Sequence, residues 1–156
     1  MKTIGVLFLM LFFINWYMQI YKIGEYSGRI DAFDNSVAHN FITYRHAVIK
    51  YDFHAKGESD EEINIADLRE YLPPDYEMHA NHDWHARISD GFVFVWGEAD
   101  AKHIALTRKL MKYSYSIGEN QNGTLQPIGM ALPNFIPENS LVSRTGSNRY
   151  KTDNEY

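Results

Sequence analysis

The chain has 156 residues, with 15 Lys and Arg against 20 Asp and Glu for a formal net charge of −5, and no cysteine. The missing thiols exclude a disulfide framework, a thiolate nucleophile and cysteine-based zinc sites. The acidic balance, without a basic cluster, argues against nucleic acid, whose phosphates need clustered cations.

From Ile4 to Ile14 the sequence reads IGVLFLMLFFI, without a charge. Extended to Ile20 the run is 17 residues, about 25 Å as a helix, just enough for a hydrocarbon core. Ile4, Leu7, Leu9, Phe12 and Ile14 would face lipid, and Trp16, Tyr17 and Tyr21 would sit at the headgroups. The rival reading is a cleaved secretory signal, but the residues that follow are bulky where a peptidase needs small ones. The expectation is a transmembrane anchor over 1–23, in a bacterial inner membrane. Its N-terminus would be cytoplasmic and its C-terminal domain periplasmic.

Beyond it, Ile30, Phe33, Val37, Phe41, Tyr44, Val48, Tyr51 and Ala55 recur at steps of three or four. That is the apolar stripe of a long helix, with Lys56-Gly57 as its stop. Phe41, Tyr44, Val48 and Tyr51 are the expected interaction surface of this stalk. The acidic run at 58–62 is a solvated loop, and Ile65–Leu72 a short helix ended by Pro73-Pro74. Asp90-Gly91 suits a tight turn joining strands Ala86–Ser89 and Phe92–Trp96. The continuously apolar second strand should be buried on both faces.

A helix is expected over Glu98–Tyr113, a strand at Tyr113–Ile117, a turn over Gly118–Gly123 and a strand at Leu125–Met130. An extended segment should follow at Leu132–Val142. The expected fold class is α+β: a long N-terminal membrane-anchored helix, pilin-like in layout, packed on a small, mostly antiparallel sheet with an additional helix. The domain would cover 24–143, and 144–156 would be a disordered tail.

The sharpest chemical pattern is His79, His82 and His85, three imidazoles spaced by threes. Three histidines beside an open position can bind zinc and activate water. The set lacks the helical H-E-x-x-H arrangement, so solvent-facing histidines in a polar loop are the preferred reading and no metal is expected. His39, His46 and His54 fit the polar side of the stalk. No nucleophile elbow, phosphate loop or dinucleotide fingerprint occurs, so neither a catalytic set nor a cofactor is expected.

An apolar helix continuing into an amphipathic stalk and a small sheet is also the layout of type IV pilins. A pilin is processed after a Gly and carries Glu five residues on, whereas here the fifth residue after Gly5 is Met10. Four segments carry a closer resemblance: FITYRHAV at 41–48, YLPP at 71–74, WHARISDGFVFVW at 84–96 and IPENSLV at 136–142. Through them the chain resembles the PilM-type inner-membrane proteins of plasmid conjugative thin-pilus and type IVb pilus systems, a family distinct from the actin-like proteins of the same name.

The resemblance implies a non-enzymatic structural component of the assembly apparatus, in its basal body or in pilin transport. Its partners would be other pilus-assembly inner-membrane proteins or pilins, the lipid bilayer, and further copies of the chain. Two other functions stay open at this level: an unprocessed minor pilin-like subunit of the fibre, and a membrane-anchored zinc hydrolase using the histidines.

Overall fold

The computed structural model describes residues 13–14, 32–54, 60–78 and 82–147. The chain divides into two units, Met1–Asp34 and Asn35–Tyr156. In the first, Phe13 and Ile14 are helical and exposed.

Helix α1 runs through residues 32–54. Val37, Phe41, Tyr44 and Val48 recur on one side of it and are buried, as the 3.6-residue period requires. Among the described residues seven strands follow: β1 Glu61–Ile63, β2 His85–Ser89, β3 Phe92–Glu98, β4 Ile117–Gln121, β5 Thr124–Gln126, β6 Met130–Ala131 and β7 Ser140–Gly146. Helix α2, Ala101–Leu110, separates β3 from β4. The sheet order is β1-β2-β3-β7-β4-β5-β6, and each neighbouring pair is antiparallel. The edge strands β1 and β6 have only three and two residues, which leaves little edge for unwanted pairing.

The β2–β3 hairpin turns at Asp90-Gly91, with φ of 51° and 80°. These are the positive values that favour glycine and tolerate aspartate. Strand β3 is central and buried along most of its length. Alternation sends its side chains to opposite faces. Val93 and Val95 join Phe41, Tyr44, Val48, Leu68, Ile88, Ile117 and Leu141 in a core beneath α1. Phe94 and Trp96 join Leu125, Leu132, Ile136 and Val142 in a second core on the other face.

The helix-side core also contains polar anchors. Arg45 Nε donates to Ser143 Oγ at 2.6 Å, and Arg45 Nη2 donates to Thr145 Oγ1 at 3.1 Å. Ser147 Oγ donates to Asp52 Oδ1 at 2.6 Å. These bonds tie α1 to the C-terminal half of β7 and to the residue that follows it. Burial holds the Arg45 guanidinium below its ordinary pKa and pushes the Tyr44 hydroxyl up to about 12.

The expected fold class is corrected on this evidence of geometry. Among the described residues no helix is long and apolar enough to cross a membrane. Ile4, Leu7, Leu9, Phe12 and Trp16 of the expected anchor lie outside the described residues. The helix that is described, α1, turns its apolar stripe onto the sheet and exposes His39, His46, Lys50 and His54 elsewhere, so it is no lipid-facing rod. The assignment to a single-pass inner-membrane protein with a periplasmic domain falls with the anchored helix. The sheet, expected to be small, has seven strands.

Smaller differences have local causes. Residues 64–72 form successive turns, with bonds such as Asp67 N to Asn64 O and Tyr71 N to Leu68 O, and not a helix. A segment this short gains little from helix propagation, and the Asp67 carboxylate accepts from Asn64 N at 3.1 Å instead. The strand expected at Tyr113–Ile117 begins only at Ile117, and the turn expected over Gly118–Gly123 shrinks to Asn122-Gly123, both at positive φ. The tail expected from 144 is strand as far as Gly146; residues 148–156 lie outside the described ones.

Candidate functional site

The expected stalk surface is used internally. Phe41, Tyr44 and Val48 are buried against the sheet and Tyr51 is half-buried beside them. Phe41 meets Trp84 edge to face at 5.0 Å. Next to it, Asn40 Oδ1 accepts from Trp84 Nε1 at 2.7 Å and from Tyr76 OH at 3.0 Å, while Asn40 Nδ2 donates to Glu77 O at 2.9 Å. Burial raises the Tyr76 pKa well above its usual value, with the neighbouring Tyr44 adding to the effect.

The histidines do not converge. His79 lies outside the described residues. His82 stacks on Trp84 at 5.4 Å, in the helix-side core, and its Nδ1 donates to Glu98 O at 2.9 Å. His85 stacks on Trp96 at 5.6 Å, in the opposite core. Three-residue spacing through an extended segment divides these two rings between faces. Among the described residues no group of three His, Asp or Glu could hold a metal ion.

Two features stand out at the surface. The first is the end of α2. Its N-terminus is capped by Asp100, whose Oδ1 accepts from His103 N at 2.8 Å. At its C-terminal end Lys112 and Tyr113 take φ of 51° and 56° in succession. Left-handed backbone costs a residue with a β-carbon about 1 kcal/mol or more, so this turn is held by its surroundings. Tyr113 N donates to Arg108 O at 2.7 Å, and the Arg108 guanidinium lies 6.0 Å from the Tyr113 ring. The result is a projecting pair of tyrosines, Tyr113 63% and Tyr115 78% exposed, among Arg108, Lys109 and Lys112. The sequence offers no glycine or asparagine to signal this turn.

The second is a recess of about 270 Å³ lined by Asp83, His85, Trp96, Gly97, Glu98, Pro137 and Ser140. Register builds it: His85 pairs with Trp96 and Ser140 with Glu98, and Trp96 and Glu98, two apart, share a face. Gly97 sets the position of Asp83, since a β-carbon there would stand 2.6 Å from Asp83 O and against the Trp84 ring. The covering wall is tied down where Asn120 Nδ2 donates to Ile136 O and Pro137 O at 2.9 and 3.0 Å. Glu138 accepts from Asn122 N and Gly123 N at 2.8 and 3.0 Å.

Solved structures and known sequences place this architecture. The chain is similar to the crystal structure of a protein described as PilM from Escherichia coli B7A, with a TM-score of 0.55 and 22% identity over 74% of this chain and 93% of that one. At that identity the likeness speaks for the fold. No curated protein matches the chain. Residues 9–144 match the PilM family, which takes in both cores and every described strand but the last residues of β7. The chain belongs to the PilM family.

Proposed function

We propose that this chain is a non-enzymatic structural component of a type IVb or conjugative thin-pilus assembly apparatus, acting by binding other assembly proteins or pilins. The observation that carries this reading is the family match over 9–144. The α2 turn supplies a contact surface of suitable kind. Tyrosine and arginine dominate interface hot spots because they offer large areas at low entropic cost, and Tyr113 and Tyr115 stand exposed beside Arg108. The helix stripe, being buried, leaves the docking role to such surfaces.

The experiment is a count of assembled pili, attached and shed, in a strain deleted for the gene and complemented with the wild type or with Tyr113→Ser/Tyr115→Ser. Loss of pili on deletion, with mature pilin still made, is the expected result. The double variant should accumulate normally and restore few pili. Normal pili in the deletion strain would overturn the reading. Recovery of the protein within sheared fibres would make it a fibre subunit instead.

A further inference from the structure

Among the 156 residues one asparagine, Asn122, is followed directly by glycine. That order has a chemistry of its own. The carboxamide carbon of an asparagine lies within reach of the next backbone nitrogen for closing a five-membered ring, and glycine, without a β-carbon, obstructs the approach least. Both requirements are met at the turn between β4 and β5. Asn122 is exposed, so water and hydroxide reach it. The flank of Gly123 is open, since a β-carbon built there would meet nothing within 4 Å.

The same turn also restrains the reaction. Gln121 pairs with Thr124 across it, and Asn122 and Gly123 take φ of 52° and 71°, as in the primed turns of tight hairpins. Two successive backbone N–H groups then face one carboxylate: Glu138 Oε2 accepts from Asn122 N at 2.8 Å, and Oε1 from Gly123 N at 3.0 Å. The Glu138 backbone is held next to β4, where Asn139 N donates to Asn120 O at 2.9 Å. To close the ring, Gly123 N must give up its proton and turn onto the Asn122 carboxamide, which takes it off Glu138. We propose that Asn122 is a site of spontaneous covalent modification and that Glu138 sets its rate by pinning the Gly123 N–H. In the first step the bond from Gly123 N to Asn122 Cγ forms, the Cγ–Nδ2 bond breaks, and the Gly123 proton leaves with Nδ2 as ammonia. Water then opens the succinimide, at the side-chain carbonyl to give aspartate or at the main-chain carbonyl to give isoaspartate. Either product places a new carboxylate beside that of Glu138, where like charges repel, and isoaspartate also lengthens the turn by a methylene group. Modification thus works against the hold on the segment that packs Phe135 onto Phe94 and Trp96. The site does not depend on the assembly role.

The test incubates the full chain in mildly alkaline buffer, folded and in urea, and follows Asn122 by peptide mapping with mass spectrometry, aspartate and isoaspartate being separated by chromatography. Conversion at Asn122 is expected in both, slower in the folded chain by about tenfold or more, as the breaking of a charged hydrogen bond requires. Glu138→Gln, which keeps the size of the side chain and removes its charge, should speed conversion in the folded chain severalfold. Glu119→Gln removes a nearby charge that is bonded to Gln121 Nε2 and not to Gly123, and it should leave the rate unchanged. No conversion at Asn122 in either the folded wild type or folded Glu138→Gln would overturn the site. An unchanged rate in Glu138→Gln, or a slower one as a general base would give, would overturn the role assigned to Glu138. Circular dichroism reports whether that variant folds. Should it not, equal rates for the wild type folded and in urea overturn the role of Glu138.

Discussion

Both faces of the sheet bury aromatic side chains, but they are closed by different means. The helix-side face is covered by α1, fixed by the Arg45 and Asp52 hydrogen bonds to Ser143, Thr145 and Ser147. The opposite face is covered by irregular chain between β5 and β7, held through Asn120 and Glu138. There Phe135 is only half-buried, tilted against Trp96 at 5.3 Å and edge-on to Phe94 at 5.9 Å. A loop covers the pleated surface in patches, and a recess of about 270 Å³ opens beside Pro137; the helix-side face has a smaller one of about 180 Å³ beside Tyr44, Ile63 and Trp84.

The largest test of that contrast is a matched pair of truncations. Phe41→Ala, fully buried at 0% exposure, should cost about 3–5 kcal/mol in denaturant unfolding. Phe135→Ala should cost about 1–2 kcal/mol, because less area leaves water-free surroundings. Equal losses would show that the two faces are sealed alike.

Gly97→Ala should follow at about 1–3 kcal/mol, the usual range for overpacking, since the new methyl meets backbone at Asp83 as well as the Trp84 ring. Crystallography or NMR of the variant should show Asp83 displaced from the recess. Arg45→Met ranks next. It removes a buried charge while orphaning Ser143 and Thr145, and a net loss of about 1–2 kcal/mol is expected. Arg45→Lys should not restore stability, because one ammonium cannot reproduce the forked donors.

The smallest effect concerns Asp60, whose two carboxylate oxygens accept from Arg87 Nε and Nη2 at 3.0 and 3.1 Å. The hydrogen bond from Arg87 holds the Asp60 carboxyl below its ordinary range. A depressed folded-state pKa stabilises the fold above the unfolded value of about 3.9, and that contribution disappears as pH falls through the folded value. Asp60→Asn should therefore be slightly less stable than wild type near neutrality, and the difference should close in acid. A gap that persisted at pH 2 would mean that the pair acts by geometry and not by charge. The guanidinium also lies 4.9 Å from the Phe135 ring, so the same variant tests whether this surface pair braces the loop-covered face.

What the sequence disclosed follows the range of the forces involved. The Asp90-Gly91 hairpin was legible because its turn and both strands are adjacent in the chain. The stripe of Phe41, Tyr44 and Val48 was legible as a period and the helix as packed on a sheet, but these residues were assigned to outside partners, because the sheet that covers them is assembled from distant residues. The second half of strand β7 was hidden for a definite reason. Its inward positions Ser143 and Thr145 are polar, and the group that satisfies them is Arg45, 98 and 100 residues away. Read locally, such a strand looks like a solvated tail. The histidines misled in the opposite direction: their spacing suggested one site, while Trp84 and Trp96 draw His82 and His85 to opposite faces. Nothing local marks Ser140 or the turn at Tyr113.

The sheet order has a consequence for biosynthesis. β7 follows every other described strand in the chain, yet it lies between β3 and β4, pairing over seven positions with one and three with the other. Without β7, the strands β1-β2-β3 and β4-β5-β6 have no pairing with each other, and β3 and β4 would each present an open inner edge. Such edges invite pairing with other chains. The seven-stranded sheet can therefore close only after Ser140–Gly146 has been made.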